Sequence, residues 1–262
     1  MTNKTLGFIG GGRITFIILE GLRRCGKLPE DVMVSDFSIE ALEKLKRRFP
    51  EIDISVGDNK KPACQEIVFL ALHPQAINSV FLEIKSSLKK EAIIISLAPK
   101  IMIEKLSEGL GGFRRIARMI PNTCSIINSG YNPIAFSSAL SETEKEELKV
   151  WLGNLGDCPI VDEEKLEAYA LLTAMGPTYL WFQLYELEKI AVSFGLTPQE
   201  AQEGISKMMK GTLKNYIYEA DLSPEEVMNL IPVKPLKDEE ENIKNIYRSK
   251  LEAVFKKIEG KN

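Results

Sequence analysis

The chain is poor in the residues on which several kinds of chemistry depend. Among 262 residues there is one histidine, His73, so any imidazole-based proton transfer has a single home. The four cysteines (Cys25, Cys64, Cys124 and Cys158) are scattered, with no C-x-x-C pair and no zinc spacing. That pattern argues against a metal site or a secreted disulfide framework and predicts reduced, mostly buried thiols. No run of about 18 apolar residues occurs, so no membrane span is expected. Only Met1 to Lys4 precede the first apolar run, so no signal peptide is expected and the cytoplasm is the default location. A net charge of −3 supplies no excess of positive charge to attract nucleic acid or an anionic membrane. Repeats, low-complexity segments, a P-loop and a Ser/His/Asp arrangement are all lacking.

What is present begins at the front of the chain. Leu6, Phe8 and Ile9 form a short apolar strand that runs into Gly10-Gly11-Gly12-Arg13-Ile14-Thr15, and an apolar helix pattern follows at Ile14, Ile17, Ile18, Leu19 and Leu22. Glycine at 10 permits a tight turn. Glycine at 12 lets backbone N–H groups approach a pyrophosphate, which the positive end of the helix then holds. Thr15 stands where the fingerprint has Gly or Ala, so the motif is imperfect. Its strand–turn–helix context nevertheless predicts a dinucleotide site.

The first half alternates short apolar runs with helical patterns. Strands are predicted at Val32–Ser35, Ile52–Val56, Ile67–Leu72, Ala92–Leu97, Arg115–Met119, Tyr131–Phe136 and Ile160–Val161. Helices are predicted after Ser38 as N-cap, over the Ala76, Val80, Ile84, Leu88 stripe, and at 142 to 153. The 67–72 and 92–97 runs are apolar on both faces, as buried parallel strands are. The fold class expected is therefore α/β, with a mostly parallel sheet and right-handed crossovers. From about residue 162 to Lys261 only helix signals remain, which predicts two domains, 1–161 and 162–262. Tyr179 to Phe194 is apolar over most of its surface and predicts a helix buried by a partner element.

Further constellations cluster at predicted strand ends. Asp36 ends the second strand, where a carboxylate accepts from adenosine ribose hydroxyls and repels a 2′-phosphate; otherwise it is a turn or helix-capping residue. Ser35 and Ser38 could still bind such a phosphate. Arg13 opposes the helix dipole, which is sensible beside an anionic ligand and costly for a merely exposed side chain. His73-Pro74 follows a central strand, either as a loop residue beside a cofactor or as an acid or base. Pro121-Asn122-Thr123 brings hydrogen-bonding groups to the same edge, and Gly176-Pro177-Thr178-Tyr179 opens a helix whose N–H groups could meet a carboxylate. Taken singly, these last two read as turn chemistry and a helix start.

Together the segments resemble the pyrroline-5-carboxylate reductase family over roughly residues 5 to 220. The similar pieces are Gly7-Phe8-Ile9-Gly10-Gly11-Gly12, Ala71-Leu72-His73-Pro74, Ile95-Ser96-Leu97-Ala98, Arg118-Met119-Ile120-Pro121-Asn122-Thr123 and Thr173-Ala174-Met175-Gly176-Pro177-Thr178-Tyr179. The resemblance implies a Rossmann-type domain, an all-helical dimerisation domain, and hydride transfer from NADPH or NADH to a cyclic imine acid, as in proline biosynthesis. It implies a cytoplasmic homodimer, or a larger oligomer, joined through the helical domain. Gly10, Gly11, Gly12, Arg13, Ile14, Ser35, Asp36, Ala71, His73, Pro74, Ala98 and Asn122 are the expected cofactor residues. Thr173 and Thr178 carry hydroxyls at the expected substrate position, with Gly176 and Pro177 beside them.

Two segments depart from the family. Its Ser-Pro-Gly-Gly-Thr-Thr loop is replaced by Leu230-Ile231-Pro232-Val233-Lys234-Pro235-Leu236, where Lys234 is the expected anchor for a substrate carboxylate. Its Ser-Gly-Ser element becomes Thr173-Ala174-Met175. The alternatives to a reductase of this kind are a non-catalytic dinucleotide-binding homologue, a reductase of another substrate, and one using a deazaflavin hydride partner.

Overall fold

A computed structural model describes residues 4–217 and 222–259. Met1–Asn3, which entered the signal-peptide expectation, and residues 218–221 and 260–262 of the predicted helical stretch lie outside the described residues. The chain divides into two compact units, Met1–Ala174 with Val254–Asn262, and Met175–Ala253.

The first unit alternates β1 (Leu6–Ile9), α1 (Arg13–Arg24), β2 (Val32–Asp36), α2 (Ile39–Arg48), β3 (Asp53–Val56), α3 (Lys60–Ala63), β4 (Ile67–Leu70), α4 (Pro74–Ile84), β5 (Ile93–Ser96), α5 (Ile103–Gly109) and β6 (Ile116–Met119). It continues through β7 (Gly130–Tyr131), β8 (Ile134–Phe136), α6 (Glu142–Leu152), β9 (Gly156–Asp157) and α7 (Leu166–Tyr169). Seven strands form one sheet in the order β3-β2-β1-β4-β5-β6-β8, with every neighbouring pair parallel except β6 and β8. The mostly parallel sheet expected from the sequence is present.

The apolar runs form strands because both of their faces are covered. Every residue of β1, β4, β5 and β6 is buried. Phe8 and Phe69, paired in register on β1 and β4, stack with ring centroids 4.6 Å apart on one face, and Trp151 of α6 lies beyond them. Ile9, Val68, Leu70 and Ile94 build the other face against Ile77, Val80 and Ile84 of α4. Local signals set the helix starts: the Ser38 hydroxyl accepts the Ala41 N–H, and Ser141 with Glu144 makes a reciprocal cap for α6.

Several expectations need correcting. Pro133, which lacks an N–H, divides the predicted Tyr131–Phe136 strand into β7 and β8. Ile160–Val161 is not a strand; Ile160 makes an isolated bridge with Ile134, and the pairing strand is Gly156–Asp157. Of the four thiols only Cys158 is buried, and that burial pushes its pKa up to about 12; all four are free.

The second unit holds α8 (Pro177–Ser193), α9 (Pro198–Ile217), α10 (Pro224–Asn229) and the start of α11 (Glu240–Glu259). No residue of α8 is buried within this chain. Trp181 is 43% exposed, and Phe182 is 66% exposed. Among the described residues no helix is long and apolar enough to cross a membrane.

Candidate functional site

The carboxyl ends of β1, β2, β4, β5 and β6 share one edge of the sheet, and the strand order reverses between β1 and β4. A crevice at such a reversal is where doubly wound sheets take ligands. Gly10 leaves β1 with φ +107, and a Cβ there would overlap the Ala71 carbonyl oxygen at the end of β4. Only glycine permits this turn so close to the neighbouring strand. Thr15, the imperfect fingerprint position, is fully buried, and its hydroxyl donates to the Gly10 carbonyl at 2.6 Å. The departure from Gly or Ala thus ties the helix to the turn.

Gly12 is different. Its φ is −80°, and a Cβ there would meet no protein atom within 4 Å, so packing within the chain does not call for glycine. It is the N-cap of α1 and offers no side chain to the helix, whose first turn carries no acidic residue. Arg13 is exposed and Ile14 half-buried at that helix start. Open space, uncapped N–H groups and a positive helix end fit a pyrophosphate.

Asp36 lies half-buried beside the turn. Its Oδ2 accepts the Gly11 N–H at 2.7 Å and its Oδ1 accepts the Ser38 N–H at 2.8 Å. Ser35, by contrast, is fully buried and its hydroxyl donates to Asn59 Oδ1 at 2.7 Å. The Ser35 hydroxyl, expected among the cofactor groups, is thus engaged with Asn59 in this structure. Ala71 and Pro74 are half-buried and His73 exposed after β4, where His73 is the N-cap of α4 without a side-chain cap bond. Ala98 is buried just beyond β5.

Asn122 follows β6 and is buried. Its side-chain oxygen accepts the Cys124 N–H, and its amide donates to the Thr173 carbonyl at 2.7 Å. Thr173 belongs to a single π-helical stretch, Ala170–Ala174, a geometry that recurs at functional sites. Its hydroxyl donates to the Tyr169 carbonyl at 2.8 Å, and the Thr178 hydroxyl donates to the Met175 carbonyl at 2.6 Å. Both hydroxyls keep lone pairs to accept with. The N–H groups expected to face a carboxylate at Gly176–Tyr179 are used differently. Thr178 N–H bonds the Met175 carbonyl and Tyr179 N–H the Gly176 carbonyl, while Pro177 has none. Lys234 lies in the second unit, where it lines a cavity of about 700 Å³ with Lys237 and Lys244 and donates to the Asn229 side chain.

One cluster had no predicted role. Arg118, 1% exposed on β6, pairs with Glu163 at 2.9 Å and Glu167 at 2.6 Å. The same carboxylates accept the N–H groups of Ile103 and Lys100. A cation inside an all-buried strand is the sequence signal that could have announced such partners.

The comparisons with known proteins agree with this geometry. The family model described as NADP oxidoreductase, coenzyme F420-dependent, matches residues 5–100, the span from β1 past β5. A pyrroline-5-carboxylate reductase of Corynebacterium melassecola is 27% identical over 221 residues, covering 80% of this chain and 81% of that protein. A solved pyrroline-5-carboxylate reductase from Coxiella burnetii is 26% identical, with a TM-score of 0.69 and coverage of 98% and 95%. The chain is similar to pyrroline-5-carboxylate reductases over about four fifths of its length. The Plasmodium falciparum pyrroline carboxylate reductase solved with NADP bound shares the fold, with a TM-score of 0.83 at 21% identity over 100% of this chain and 99% of that one.

Proposed function

We propose that the protein is an NAD(P)H-dependent reductase that adds hydride to the C=N bond of a cyclic imine acid. In this reading residues 1–161 hold the coenzyme, and residues 162–262 supply the substrate side and the dimer contact. The observation that carries it is the opening at Gly12, a glycine whose missing side chain no neighbour within the chain requires. The names of the relatives and the NADP in the Plasmodium structure support it.

Bound at this turn, a reduced nicotinamide coenzyme supplies hydride to the imine carbon. Backbone groups of Gly10–Ile14 hold the pyrophosphate, with Arg13 adding charge, and Asp36 accepts from the adenosine ribose. Ala71, His73, Pro74, Ala98 and Asn122 line the edge along which the nicotinamide half runs. A protonated imine N–H needs an acceptor, and the Thr173 and Thr178 hydroxyl oxygens, whose protons already sit on backbone carbonyls, can provide one. Gly176 and Pro177 shape the same stretch, and Lys234 anchors the substrate carboxylate. The exposed apolar side chains of α8 support a homodimer built through the helical segment. The cytoplasm, where reduced nicotinamides are regenerated, is the setting of this reading.

The test is direct titration with NADH and NADPH, followed by spectrophotometric turnover with pyrroline-5-carboxylate and other cyclic imine acids. Binding and turnover are expected. Binding without turnover of any imine would replace this reading with a non-catalytic homologue, which the altered 230–236 loop favours. Hydride exchange with a deazaflavin would select the alternative that the name of the matching family model favours.

A further inference from the structure

The residues that end β2 prepare the glycine turn for one form of the coenzyme. Asp36 is fixed at both oxygens by the Gly11 and Ser38 N–H groups, and its own carbonyl accepts the Gly57 N–H at 2.9 Å. A carboxylate so held cannot swing away from a ligand lying along the turn. Each oxygen retains a lone pair, so it can accept from ribose hydroxyls. A 2′-phosphate only accepts and carries negative charge, so it would meet a like charge with no donor between them. The residues nearest the carboxylate in the chain carry no cation. Residues 35–41 contain Asp36 and Glu40 but no Lys or Arg, and residues 55–59 contain Asp58 alone among charged residues. Lys60, just beyond, is exposed, and Lys61 pairs with Asp58 at 3.9 Å.

Phe37 directly follows Asp36 and is 73% exposed, an unusual position for a large ring. It lies along Gly57, where an added Cβ would stand 3.7 Å from the Phe37 ring, so the opposite loop carries no side chain that would cover it. An exposed ring beside a ribose-binding carboxylate presents a π-face to a base.

The geometry points to an adenosine subsite that takes NADH in preference to NADPH, with Asp36 selecting the ribose and Phe37 stacking on the adenine. This selectivity rests on the dinucleotide reading above. Arg13, exposed at the first position of α1, is a cation at the turn that could oppose the preference, and its variant belongs in the test.

The experiment is a fluorescence titration of the full chain with NADH and NADPH, which reads binding and not turnover. NADH should bind at least about tenfold more tightly. Asp36→Asn, which keeps an acceptor for the Gly11 N–H but removes the charge, should bring the two affinities together. Phe37→Ala should weaken both coenzymes by about tenfold and leave their ratio unchanged. Arg13→Ala should weaken both without reversing the order. Equal affinities, tighter NADPH binding, or a ratio untouched by Asp36→Asn would each overturn the selectivity while leaving the dinucleotide site standing. Failure of both coenzymes to bind would overturn the site itself, and the selectivity with it.

Discussion

The sheet half and the helical half of this molecule satisfy their apolar residues in opposite ways. In β1, β4, β5 and β6 every side chain is buried, and apolar clusters cover both faces of the sheet. In α8 none is buried, although nine of its 17 residues are Leu, Ile, Val or aromatic. A parallel sheet is covered by its own crossover helices, so a single chain completes it. A helix apolar on most sides requires a covering element, and α8 does not find enough of one within its own chain.

The sharpest way to test the self-sufficiency of the first half is Arg118→Ala. It would strand Glu163 and Glu167 without their cation, and we expect a loss of about 3–5 kcal/mol in denaturant unfolding. Replacing all three by neutral residues of similar volume should recover much of it. Next comes the glycine turn. Gly10→Val would place a branched side chain at φ +107 against the Ala71 carbonyl, with an expected loss of about 3 kcal/mol. Gly12→Ala should change stability by less than about 0.5 kcal/mol yet weaken dinucleotide binding. Equal effects at 10 and 12 would erase the distinction between a structural and a ligand-facing glycine.

For the helical half, Phe182→Glu with Tyr185→Glu should leave monomer helicity by circular dichroism unchanged while shifting sedimentation toward monomer. A wild-type chain that sediments as a monomer at micromolar concentration would remove the proposed interface. The smallest effect concerns acid stability of the first half. The Arg115 guanidinium and the Ser141 cap hold the Glu144 carboxyl down at about 2. Its pKa is lower folded than unfolded, so its contribution is present above the unfolded carboxylate range and fades as pH falls toward 2. Arg115→Ala should therefore lower stability at pH 7 by up to about 1 kcal/mol, a difference that shrinks as pH falls toward 2.

Much of the fold was legible because its signals are local. The Ser38 and Ser141 caps act within three residues, and the doubly apolar runs at 67–72 and 92–97 could only be central strands. The glycine turn, its helix and Asp36 at the end of β2 were legible for the same reason. The pairing of Gly156–Asp157 in place of Ile160–Val161 was not, since strands so short carry no periodicity. Ser35 and Asp36 are adjacent in sequence, yet one donates into the core to Asn59 and the other grips the glycine turn.

The order of amino acids alone determined where strands and helices alternate, where they start, and that a glycine turn follows β1. Period, capping and turn chemistry act over a few residues. The tertiary structure decided which partners the polar groups took: Arg118 with carboxylates 45 and 49 positions away, and Asn122 with the π-helical stretch 51 positions on. A side chain's hydrogen bonds depend on what distant segments bring within 3 Å, and no local pattern encodes that.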